Sequence, residues 1–75
     1  MNVTIYSTPT CPYCVMAKNY FKQKNVNFND YDVSRNQGKA EEMIRLSGQS
    51  GVPVININGN IIRGFDRQAI DRLIN

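Results

Sequence analysis

Seventy-five residues suffice for one small domain with a thin core, here taken as residues 1–75. Nine Lys plus Arg against six Asp plus Glu leave a formal charge of +3, with no run of like charge of the kind that marks a nucleic-acid arm. No apolar stretch approaches the roughly 18 residues of a bilayer span and no leader pattern follows Met1, so a soluble, cytoplasmic chain without membrane partners is expected.

Val3, Ile5 and Tyr6 in NVTIYS predict a first strand, broken by Ser7, Thr8, Pro9 and Thr10. A helix follows, with Cys14, Ala17, Tyr20 and Phe21 facing inward, Lys18 and Lys22 on the solvated side, and an end near Lys24–Asn25. VNFNDYDV, residues 26–33, mixes β-branched, aromatic and polar side chains and predicts a second strand. Ser34, with Gln37 three residues on, reads as a capping box for a second helix. That helix carries the stripe Ala40, Met43, Ile44 and Ser47, and Gly48 is its stop.

VPVININGNIIRG, residues 52–64, predicts a hairpin turning at Asn58-Gly59. Asp66 then caps a last helix with Ala69, Ile70, Leu73 and Ile74 on one side. The order β-α-β-α-β-β-α calls for a parallel, right-handed first unit and an antiparallel last pair. The expectation is an α/β chain of thioredoxin-like fold: a four-stranded mixed sheet flanked by three helices.

The only cysteines, Cys11 and Cys14, sit three apart after a strand and at the start of a helix, where this spacing reads as a redox motif. A free thiol with a pKa near ~8.5 is mostly protonated at neutral pH, and the orphan N–H groups and dipole of a helix start favour the thiolate. Pro12 fits the first helical position because it needs no partner for an N–H. Cys11 is thus the expected nucleophile and Cys14 the resolving thiol. The bland reading, two small buried hydrophobes, competes poorly in this context. A closed zinc site lacks ligands, since the chain has no histidine and no third cysteine, so no metal is expected. An iron–sulfur cluster shared between two chains stays open as a rival.

Pro53 opens a strand, where a missing N–H is least costly. On local sequence alone Val52-Pro53 is expected trans; a cis bond facing the cysteines is the functional alternative, leaving the Val52 backbone to pair with a substrate peptide.

Cys11-Pro12-Tyr13-Cys14, Val52-Pro53 and Gly64-Phe65-Asp66 together resemble the glutaredoxins, and more narrowly the short bacterial glutaredoxin-like and NrdH-type redoxins. The resemblance covers essentially the whole chain and implies a cis Pro53. It implies a thiol-disulfide oxidoreductase acting on disulfide-containing or glutathionylated proteins, most simply as a monomer, with glutathione as co-substrate. Carried over, Cys11 forms the mixed disulfide, Tyr13 flanks it, and Val52 beside Pro53 pairs with the tripeptide backbone. Phe65 and Asp66 hold the γ-glutamyl end, although Asp66 serves equally as an ordinary N-cap.

Three positions depart from the family pattern. Thr8 stands where many members have lysine, Arg63-Gly64 stands for Gly-Gly, and Arg67 replaces a second acid. Lys39, Arg63 or Arg67 are the candidates to restore positive charge. The alternative electron donor is thioredoxin reductase, which serves NrdH-type proteins.

Overall fold

The computed structural model describes residues 1–75 and contains seven elements in the expected order. They are β1 (Val3–Ser7), α1 (Pro12–Gln23), β2 (Asn29–Asp32), α2 (Gln37–Ser47), β3 (Val54–Ile57), β4 (Asn60–Arg63) and α3 (Arg67–Ile74). The strands lie side by side as β2-β1-β3-β4. β1 runs parallel to β2 and antiparallel to β3, and β3 runs antiparallel to β4.

Strand alternation divides the interior in two. Val3, Ile5, Ile55, Ile57 and Ile62 turn to one face and pack with Ala17, Tyr20 and Phe21 of α1 and Ile70 of α3. The intervening positions Tyr6 and Val54 turn to the other face and meet Met43 of α2. Full burial of one large apolar side chain is worth roughly 1.5–3 kcal/mol, so the larger cluster supplies most of the apolar stabilisation. That cluster anchors α1, and α1 begins at the cysteines. On the other face Tyr6 compensates its buried hydroxyl by donating to Glu42 of α2.

The hairpin and the last helix form as their residues dictate. Asn58 and Gly59 both take positive φ, 53° and 93°, as a type I′ turn requires. Asp66 Oδ1 accepts the Ala69 N–H at 3.2 Å, and Ala69, Ile70, Leu73 and Ile74 all pack on the main core. Gly48 ends α2 as expected.

Three expectations need correction. β2 starts at Asn29 instead of Val26, because the Val26 N–H is taken by the Phe21 carbonyl at 2.9 Å, closing the end of α1. Val26 and Phe28 still pack on the core, from a loop. Ser34 does not cap α2: its hydroxyl and its N–H both go to Asp32, at 2.5 and 3.0 Å. Asn36 caps the helix, accepting the Lys39 N–H at 3.1 Å. Along the α2 stripe Met43 and Ser47 are buried, whereas Ile44 is 45% exposed.

Candidate active site

The β1–α1 junction puts the two cysteines in unlike surroundings. Cys11 is the N-cap of α1, extended at φ −100° and ψ 110°, and Pro12 follows at the start of the helix. The Cys11 Sγ accepts the Cys14 N–H at 3.2 Å and is only partly buried. A helix start aims its unpaired N–H groups at this sulfur, a setting suited to negative charge.

Cys14, one turn on, is wholly buried. Burial pushes its thiol up from an ordinary 9.0 to about 12, helped by the hydrogen bond with the Cys11 side chain. A hydrogen bond from the Thr8 backbone and the charge of Lys18 pull the other way. The proton thus stays on Cys14 while Cys11 faces outward.

A second wall stands opposite. The Val52-Pro53 bond is cis, so the trans form expected from local sequence is corrected and the form implied by resemblance is found. The Val52 carbonyl points at Cys11 and accepts its S–H at 3.8 Å. Pro53 is buried, and its carbonyl accepts the Gly64 N–H at 2.8 Å. Gly64 makes this turn at φ 81°, which disfavours any side chain.

The wall continues into Phe65 and Asp66. The Phe65 ring lies edge-on to Tyr20, centroids 5.8 Å apart, and is partly buried against the core. The Asp66 carboxylate is engaged as the cap of α3. Tyr13 stands 62% exposed on the first turn of α1.

The structure therefore brings Cys11, Cys14, Val52 and Pro53 together, and the Pro53–Gly64 bond ties Phe65 and Asp66 to that group. Tyr13, Phe65 and Asp66 make no hydrogen bond with either cysteine.

Each of the three cations expected to restore charge has a partner within the chain. Lys39 Nζ lies 3.3 Å from Glu42 and 4.3 Å from the centre of the Tyr31 ring. Arg63 Nε donates to the Ser47 carbonyl at 2.7 Å, closing the end of α2. The Arg67 guanidinium lies 4.9 Å from the centre of the Tyr20 ring and is held more basic than usual by its hydrogen bond with Tyr20.

Lys18, expected on the solvated side, is instead drawn onto the sheet. It lies 3.0 Å from the Asp30 carboxylate and 3.5 Å from the Ser7 hydroxyl. Sequence reasoning missed Ser7 and Asp30. The available signal was the register: Asp30 pairs with Ile5, which puts a carboxylate on the α1 face of the sheet, where it calls for a counter-charge.

No group of three or more His, Cys, Asp or Glu converges as a metal cage. A cavity of about 160 Å³, lined by Val3, Phe28 and nearby asparagines, lies at the other end of β1 from the cysteines. Neither cysteine lines it, so it is not part of the candidate site.

Comparison with known proteins decides the family. The glutaredoxin family model matches residues 3–62. The chain belongs to the glutaredoxin family. It is 57% identical over 72 residues to an uncharacterised glutaredoxin-like 8.6 kDa protein in the rubredoxin operon of Clostridium pasteurianum, covering 96% of each. Over 65 residues it is 45% identical to glutaredoxin 3 of Escherichia coli K12, covering 87% of this chain and 78% of the relative. Among solved structures it resembles NrdH-redoxin from Escherichia coli, with a TM-score of 0.88, 28% identity, and coverage of 100% of this chain and 97% of that one. The fold is thioredoxin-like, and as a glutaredoxin the chain is a redox protein with an oxidoreductase site.

Proposed function

We propose that this glutaredoxin is a cytoplasmic dithiol oxidoreductase that reduces disulfide-containing or glutathionylated proteins, with glutathione as its reductant. The observation that carries the reading is the contrast at the β1–α1 junction. Cys11 reaches solvent from a helix start and its sulfur accepts the Cys14 N–H, while the Cys14 thiol is buried one turn away.

The Cys11 thiolate attacks a disulfide, forming one S–S bond and releasing one substrate thiolate, which takes up a proton. The Cys14 thiol then loses its proton, attacks the Cys11 sulfur and expels the second thiol, leaving Cys11–Cys14 oxidised. One glutathione opens this disulfide to a mixed disulfide on Cys11 and frees Cys14. A second removes the first as glutathione disulfide, so two electrons return. Thiol–disulfide exchange needs no further cofactor.

In this reading Tyr13 flanks the mixed disulfide, Val52 beside Pro53 supplies backbone pairing, and Phe65 and Asp66 receive the γ-glutamyl end. Glutathione use is supported by the Cys-Pro-Tyr-Cys centre and by the 45% identity to a glutaredoxin.

A second reading, reduction by thioredoxin reductase, is favoured by a specific observation. Thr8 replaces the expected lysine, and Lys39, Arg63 and Arg67 are all engaged within the chain. Two coupled assays separate the donors: a small disulfide reduced with glutathione and glutathione reductase, or with NADPH and thioredoxin reductase. Turnover in the first is expected; turnover in the second alone removes glutathione from the mechanism.

A further inference from the structure

Lys18 follows Cys14 by four residues on α1, so both side chains stand over the same stripe of the sheet. A lysine on a short helix ordinarily extends into water, yet this side chain is only 21% exposed. Two partners hold it inward. The Ser7 hydroxyl at the end of β1 is buried and donates to Asp30 at 2.6 Å, while Asp30 of β2 also faces the Lys18 ammonium. The groups that bear on the Cys14 thiol are the Cys11 sulfur, the Thr8 backbone and the Lys18 ammonium, which itself meets Asp30 of β2 and the Ser7 hydroxyl of β1.

We propose that Lys18 is a positioning residue for the resolving step: pinned by Ser7 and Asp30, its ammonium favours the transient thiolate of Cys14. The need follows from burial. Cys14 must lose its proton as it attacks the mixed disulfide, and a thiol in apolar surroundings parts with a proton reluctantly. No redox partner is added: the S–S bond between Cys14 and Cys11 forms, the bond from Cys11 to the substrate sulfur breaks, and the expelled thiolate takes up a proton. An ion pair that merely ties α1 to β2 would contribute little and would not favour one sulfur.

This inference rests on Cys14 being the resolving thiol, and stopped-flow reaction with an aryl disulfide tests the two separately. Wild type should release two equivalents of aryl thiolate in sequence, the first on attack by Cys11 and the second on resolution by Cys14. Cys14→Ser should lose the second phase; if it keeps that phase, the resolving assignment fails. With that assignment intact, Lys18→Met should slow the second phase roughly threefold at pH 7 and move its rise about half a pH unit upward, leaving the first phase within about twofold. Lys18→Arg should restore the second phase. An unchanged second phase in Lys18→Met, or equal slowing of both phases, would overturn the role assigned to Lys18.

Discussion

The site has two walls built by different means. The cysteine wall is local: a strand ends, Cys11 caps a helix, and Cys14 is buried by the turn that follows. The opposite wall is assembled from distant segments, with Val52-Pro53 leading into β3 and Gly64 to Asp66 following β4, joined by the Pro53–Gly64 hydrogen bond. Beneath it Val52 packs on the smaller cluster of Tyr6, Met43 and Val54, steadied by Tyr6 and Glu42. In the proposed function, chemistry is assigned to the first wall and recognition to the second. Substitutions in the first should therefore change whether sulfur is exchanged, and those in the second should change with whom.

The largest effect belongs to the cysteine wall. Cys11→Ser should bring disulfide reduction to background. Cys14→Ser should reduce turnover of an intramolecular protein disulfide by about tenfold or more while sparing a glutathionylated peptide, because the latter can proceed through Cys11 alone. Equal losses in both variants on both substrates would erase the distinction between the cysteines.

Asp66 sharpens the comparison from the other wall. Asp66→Ala should lower thermal stability by about 1 kcal/mol through loss of a helix cap, whereas Asp66→Asn keeps a capping oxygen. If the carboxylate also meets the ammonium of glutathione, Asp66→Asn should raise KM for glutathione severalfold at unchanged kcat and nearly unchanged stability. An unchanged KM would leave Asp66 a cap and no more.

The smallest effect concerns the support beneath Val52. The hydrogen bond from Tyr6, aided by Lys39, holds the Glu42 carboxyl below its ordinary 4.5. A carboxyl lowered in the folded state stabilises above its unfolded pKa, and that contribution fades as pH falls through the folded value. Wild type should therefore lose some stability below about pH 4.5 that Glu42→Gln does not lose, as read from melting temperature across pH 2.5 to 6. Identical slopes for the two proteins would remove Glu42 from the support.

Much of the cysteine wall was legible because its signals are contiguous. Val3 and Ile5 alternate, Pro12 opens the helix, and Ala17 and Phe21 show its inner face. Asn58-Gly59 and Asp66 were legible for the same reason, each acting on residues within one turn. The misses are competitions between neighbours or contacts across the sheet. Ser34 had the right type and spacing for a cap, but Asp32 claimed its hydroxyl first and the role passed to Asn36. Lys18 looked solvated because its partner Asp30 lies twelve residues away on another element. The cis form of Val52-Pro53 was readable through family resemblance, whereas the local residues favoured trans.

The central claim is that sulfur exchange begins at Cys11 because it alone of the two reaches solvent. Peptide mapping by mass spectrometry, after oxidised glutathione is mixed with native Cys14→Ser and native Cys11→Ser, addresses it most directly. Glutathione should be found on Cys11 in the first variant, and Cys14 should stay unmodified in the second until the chain is unfolded. Equal glutathionylation of Cys14 in native Cys11→Ser would contradict the account.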